Sequence, residues 1–75
     1  MGSDGEVVNH VRRLRFEHGE MTQRELAERL DVSRQTIIAI ESGRYNPSLN
    51  LAFRIAREFG VRIDEVFQYD PGGQV

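Results

Sequence analysis

Apolar side chains recur every three or four residues along most of this chain, and the recurrence breaks at glycine, proline or a small hydroxyl residue. Val7, Val8, Val11 and Leu14 share one side of a helical projection, with Asn9, Arg12, Arg13 and Glu17 around the rest, so the spacing predicts a first helix from Val7 to about Glu17. "HGEM" interrupts it, with Gly19 as the stop. "MTQRELAERL" then opens on Thr22 with Glu25 three residues later, a capping box in which each side chain takes up an amide of the first turn. Leu26, Ala27 and Leu30 form the inner face of this second helix, which ends near Leu30. Ser33 is the next capping residue, and the third helix runs from about Arg34 to Glu41, anchored by Val32, Ile37 and Ile40 and stopped by Gly43. After the loop "GRYNPS", a fourth helix from about Leu49 to Phe59 buries Leu49, Leu51, Ala52, Ile55, Ala56 and Phe59 before Gly60. A last turn, about Asp64 to Phe67, carries Ile63, Val66 and Phe67. No stretch reads as strand alternation, and a short strand at "VFQY" figures only as an alternative means of pairing between two copies. The expected architecture is all-α, a compact five-helix bundle spanning residues 7–68, with flexible ends at 1–6 and 69–75.

Helices two and three are separated by only about three residues, which forces a steep crossing rather than an antiparallel hairpin. Ala27, small and inward-facing, lets the third helix approach. With Ile37 and Ile40 turned inward, Arg34 and Gln35 are left at the protruding N-terminal end and Ala39 on the outer surface, where the helix also offers free amides and partial positive charge. Arginine matches guanine O6 and N7, glutamine matches adenine N6 and N7, and an alanine methyl touches thymine, so Arg34, Gln35 and Ala39 are candidate base readers in a DNA major groove. Ile38 is an apolar residue on that otherwise polar surface.

Composition narrows the chemistry further. A chain of 75 residues supports one small core and no large enclosed active site. It has no cysteine and only two histidines, His10 and His18, so neither a disulfide framework nor an ordinary zinc site is expected. No nucleophile is paired with a base and no carboxylates face each other across a cleft, so catalysis and cofactors are not expected either. No apolar run reaches the ~20 residues of a membrane span, and "MGSDGEVV" lacks the character of a secretory signal, which points to a soluble cytoplasmic protein. Ten basic against twelve acidic residues give a net charge of -2, unusual for a partner of nucleic acid. All ten basic residues are arginine, the residue suited to bidentate contacts, and phosphate contacts act locally, so a basic face on an acidic chain is sufficient.

In order and spacing, "TQRELAERL", "VSRQTI", "IESG" and "NPS" resemble the phage-repressor and Cro-like helix-turn-helix family of transcription regulators, also called the xenobiotic-response-element type, and the resemblance extends from about Val8 to Phe67. It implies a lambda-repressor-like bundle in which helices two and three form the helix-turn-helix. It further implies phosphate contacts from Gln23, Ser33, Thr36, Ser42, Arg44 and Asn46, base contacts from Arg34, Gln35 and Ala39, and a structural salt bridge between Arg15 and Glu41. The chain departs from the family pattern at three points. Asp31 stands where the turn often has glycine, Glu20 is one extra residue before helix two, and Arg62 stands where serine or threonine often caps the last helix.

These readings lead to a sequence-specific regulator of double-stranded DNA. A single module of this kind buries only about 600 to 1,000 Å², so a homodimer on a palindromic operator is expected, with Val66, Phe67 and Tyr69 offering apolar area for the contact. No small-molecule effector is implied. The other function class compatible with the sequence is a protein-interaction module such as an antitoxin-like subunit, favoured by the acidic balance and by Ile38.

Overall fold

The computed structural model describes residues 5–72 and orders them as β1 (Glu6–Asn9), α1 (Val11–Glu17), α2 (Gln23–Leu30), α3 (Arg34–Glu41), α4 (Leu49–Phe59), α5 (Ile63–Val66) and β2 (Phe67–Asp70). The expected segments 1–4 and 73–75 lie outside the described residues. The first correction is at the N-terminal side. Val7 and Val8 belong not to a helix but to β1, which pairs antiparallel with β2 in the register Glu6 to Asp70, Val7 to Tyr69, Val8 to Gln68 and Asn9 to Phe67. A β-branched valine opposite an aromatic residue, Val7 against Tyr69, suits a two-stranded ribbon, and the partner strand lies some sixty residues away in sequence, beyond the reach of local periodicity. Among the described residues the architecture is therefore five helices plus a small ribbon rather than all-α, and the expected boundary at residue 68 falls inside β2.

The helices close on one core. Val11, Leu26, Ile37, Ile40, Ile55 and Val66 are sealed from solvent, joined by Leu14, Met21, Ala27, Leu30, Leu51, Ala52, Ala56 and Phe59. Met21 was not among the expected core residues. It enters because Gly19 and Glu20 both take left-handed backbone, φ 84° and 55°, which absorbs the extra residue and turns the chain inward. Leu49 departs in the opposite sense. It is 70% exposed, because α4 buries the stripe through Leu51, Ile55 and Phe59 and its first residue lies off that stripe.

Caps set the helix ends. Thr22 and Glu25 form the reciprocal box at the start of α2, Ser33 accepts from the Thr36 amide, and Ser48 accepts from the Leu51 amide. At α5 the Arg62 side chain supplies no capping oxygen. Instead Glu65 accepts from the Arg62 amide at 3.1 Å, and Arg62 Nη2 donates to Asp64 at 3.0 Å. α2 ends on Asp31 in left-handed geometry, φ 58° and ψ 46°, with the Val32 amide reaching back to the Ala27 carbonyl at 3.0 Å. This closure aims the chain into α3. Left-handed backbone costs an L-residue about 1 to 2 kcal/mol, less for aspartate and nothing steric for glycine. Asp31→Val is accordingly expected to lower unfolding free energy by about 1 to 2 kcal/mol in urea titrations, and Asp31→Gly to leave it within about 0.5 kcal/mol. Equal losses for the two variants would remove the backbone explanation.

Candidate nucleic-acid interface

α3 is held on one side and free on the other. Ile37 and Ile40 lock its inner face, and Ile38 and Ala39 are half-buried at its flanks. Arg34 and Gln35 are exposed, and among the described residues neither has an ion-pair or side-chain hydrogen-bond partner. The helix start therefore presents one guanidinium and one amide to solvent from a backbone fixed by the core.

A three-helix junction fixes the position of α3. Arg15, from α1, donates through Nε to Glu41 Oε2 at 2.6 Å and through Nη2 to Oε1 at 3.0 Å, while its Nη1 donates to the Met21 carbonyl at 2.8 Å. Gln23, the first residue of α2, donates to Glu41 Oε1 at 3.2 Å. Both charged side chains are 9% exposed, so the pair is a desolvated, fully hydrogen-bonded fork rather than a surface contact. The ring of Phe16 lies 5.7 Å from the Arg15 guanidinium and adds a cation–π contact. At the same end of α3, Asn9 Nδ2 donates to the Ile40 carbonyl at 2.9 Å, and its Oδ1 accepts from the Val11 amide at 3.2 Å. One side chain thus ties the ribbon to the last turn of α3. Reading Asn9 as a helix-surface residue concealed this role.

Between the N-terminal ends of α2 and α3 lies an open cleft lined by Arg15, Thr22, Gln23, Arg24 and Arg34, with no carboxylate in its lining. Arg15 is neutralised by Glu41, but Arg24 has no ion-pair partner among the described residues, and neither does Arg34. The cleft is locally cationic on a chain whose net charge is -2. Arg24 was not singled out from the sequence. Its signal was its position directly after Gln23 in the first turn of α2.

The residues expected to touch phosphate divide by their present partners. Gln23 faces the cleft, but its amide is engaged by Glu41. Ser33 Oγ caps α3 by accepting from the Thr36 amide at 3.1 Å, and it lies 2.9 Å from Thr36 Oγ1. Ser42 Oγ donates to the Ala39 carbonyl at 3.1 Å and accepts from Arg44 Nε at 3.2 Å. Arg44 is otherwise exposed in the loop after α3. Asn46 lies away from the cationic cleft, on the wall of an apolar groove with Val7, Pro47 and Leu49. The expected self-contact surface needs a correction as well. Val66 is 0% exposed, sealed beneath the junction of α5 and β2, and offers nothing to a partner. Phe67 is half-buried and Tyr69 is 66% exposed.

Among the described residues no helix is long and apolar enough to cross a membrane, and no cluster of His, Asp or Glu has the makings of a metal site.

Comparison with known proteins places these features in a family. A family model described as helix-turn-helix matches residues 12–66. An HTH-type transcriptional regulator of Methanocaldococcus jannaschii is 62% identical over 50 residues, which cover 67% of this chain and 76% of the relative. One from Methanothermobacter thermautotrophicus is 56% identical over 64 residues, covering 84% and 91%. Among solved structures, a protein of Bacteroides fragilis superposes with a TM-score of 0.72 at 24% identity over 83% of this chain and 98% of the other, a likeness of fold.

Proposed function

Because this chain belongs to the Cro/C1-type helix-turn-helix family of transcription regulators, we propose that it reads double-stranded DNA sequence by laying α3 in the major groove, working as a homodimer on a palindromic operator. Its family is one of DNA-binding regulators, not enzymes. The observation that carries the proposal is the pairing of a core-locked α3 bearing unpaired Arg34 and Gln35 with the carboxylate-free cleft beside it.

In this reading Arg34 meets guanine, Gln35 meets adenine and the half-buried Ala39 methyl borders a thymine. Arg24 and Arg44 supply cationic phosphate contacts. The capped N-terminal ends of α2 and α3, with Gln23, Ser33 and Thr36, supply amide and hydroxyl donors, and Ser42 and Asn46 border the loop that carries Arg44. Phosphate contacts set the register of the protein on the duplex, whereas the Arg34 and Gln35 contacts carry sequence information. Two copies on half-sites about one helical turn apart would each contribute one α3, with Phe67 and Tyr69 on the self-contact side.

Selection of bound sequences from a random duplex pool, followed by titration of the enriched duplex, tests the proposal. Arg34→Ala and Gln35→Ala are each expected to weaken the enriched duplex by about 1 to 3 kcal/mol and to relax preference at one base pair. Both side chains are exposed, so the melting temperature should not move. A pool that enriches no sequence would defeat specific reading. A variant that loses equally on every duplex would transfer that residue to phosphate contact.

A further inference from the structure

We infer that Ile38 reads the 5-methyl group of a pyrimidine in the major groove, a methyl contact separate from that of Ala39. The inference rests on the DNA reading proposed above and deepens it, adding a specificity-determining residue to α3. Ile38 is half-buried, yet the partly buried apolar residues that pack against the core are Val32, Val61, Ile63 and Phe67, and Ile38 is not one of them. It lies outside the packing that fixes α3. Helical spacing places it. Arg34, Ile38 and Glu41 follow one another at i, i+4 and i+7 along one side of the helix. Arg34 lines the cationic cleft and Glu41 accepts from the Gln23 amide at the start of α2, so Ile38 stands between them on the side of α3 turned towards α2. Gln35, Ile38, Ala39 and Ser42 form the adjoining outward stripe. The middle turn of that stripe is apolar, with a hydrogen-bonding side chain at either end.

A hydrocarbon side chain has one well-matched target in a major groove. Base edges there present ring nitrogens, carbonyls and amino groups, and the apolar group is the methyl on C5 of thymine. Pressed against an amino or carbonyl edge, isoleucine would strip it of water and return no hydrogen bond, so Ile38 favours the methyl and disfavours the alternatives. Its β-branch leaves one strongly preferred χ1 rotamer in a helix, so little side-chain freedom is lost on contact. Isoleucine also reaches further than alanine, and Ile38 and Ala39 lie on opposite flanks of Gln35, so they meet different methyl groups. Single exposed apolar residues are ordinary on protein surfaces. What sets Ile38 apart is its place one turn from both Arg34 and Gln35, the exposed donors proposed to read bases. A contact that senses only the methyl does not tell thymine from 5-methylcytosine, so cytosine at the same position should bind better once methylated.

The test is a methyl scan of the enriched duplex at one salt concentration. Each thymine is replaced singly by uracil, which deletes the methyl and keeps the base pairing, and the full chain is titrated as wild type, Ile38→Ala and Ile38→Val. Ile38 is outside the core and alanine is the strongest helix former, so Ile38→Ala should fold and melt close to wild type. Burial of one methyl corresponds to about fourfold in affinity. The wild type is expected to lose about that factor at one thymine of each half-site where Ile38→Ala binds thymine and uracil duplexes alike, while Ile38→Val keeps most of the effect. With cytosine at that position, methylation of its C5 should raise wild-type affinity about fourfold and leave Ile38→Ala unchanged. A purely structural role for Ile38 would weaken all duplexes together and leave every uracil effect in place. Wild type indifferent to uracil at every thymine, a result that needs no variant, would overturn the inference, and so would Ile38→Ala retaining each of the wild-type uracil effects. Failure here is distinct from failure of DNA reading. A site enriched through Arg34 and Gln35 but indifferent to methyl groups removes only the methyl contact, whereas a pool that enriches no sequence removes both.

Discussion

Replacing Arg15 with methionine is expected to destabilise the protein by about 3 to 5 kcal/mol, most of the margin available to a domain of this size. At roughly 0.05 to 0.15 kcal/mol per residue, 75 residues carry only about 4 to 11 kcal/mol. The loss has two parts. The Glu41 carboxylate, 9% exposed, would keep only the Gln23 amide as donor, and the Met21 carbonyl would lose Arg15 Nη1. A desolvated charge without its partner is the costly outcome, not the absence of the attraction as such. The double variant Arg15→Met with Glu41→Leu should therefore recover a large share of the loss, because an apolar pair of similar volume often substitutes for a buried ion pair without penalty. Urea denaturation of wild type, both single variants and the double variant measures this directly. If the double variant is no more stable than Arg15→Met alone, the cost belongs to packing and not to the orphaned carboxylate. Duplex binding should fall with stability in the single variants, because the same fork holds α3 against α1 and α2.

What the sequence made legible follows from the range of each interaction. α2, α3 and α4 begin and end where their caps lie, Thr22 with Glu25, Ser33 and Gly43, Ser48 and Gly60, because a cap is a contact within four residues. The phase of α3 follows from Ile37 and Ile40, and with it the exposure of Arg34 and Gln35. Val7 and Val8 were misread for the converse reason. With Val11 and Leu14 they satisfy helical spacing, and what makes them a strand is Tyr69 and Gln68 across the ribbon. A helix in place of β1 hides the tie from Asn9 to α3 and leaves Val66 looking available to a partner. Hydrogen-bond assignments were the least legible. Nothing in the spacing tells that Gln23 is engaged by Glu41, or that Ser42 is turned back on Ala39. Arg24 shows the remaining gap, since a residue that matters only through the cleft it shares with Arg34 has no local pattern to announce it.

Affinity for the selected duplex is expected to fall several hundredfold between 50 and 200 mM salt, even though the protein is acidic overall. Counterion release depends on cations seated on phosphates, and the net charge of -2 belongs to the whole surface. Arg24 and Arg34 line the cleft, and Arg44 is exposed in the loop after α3. Two or three such contacts per copy make about four to six in a dimer, and a slope near −0.9 per contact gives roughly −4 to −5 in log affinity against log salt. Arg44→Ala should flatten that slope by about 2, one contact per copy, and weaken all duplexes alike, whereas Gln35→Ala should leave the slope unchanged while altering which sequence is preferred. The contrast separates phosphate contact from base reading within one set of titrations. The acidic residues Glu17, Glu58 and Asp64 are engaged by Arg13, Arg29 and Arg62, so three of the carboxylates already have cationic partners away from the cleft. Charges more than a Debye length from a phosphate, about 10 Å at 0.1 M salt, are largely screened. A slope near zero would mean that no arginine of this chain sits on the phosphate backbone, and would favour a protein-interaction module over a DNA reader.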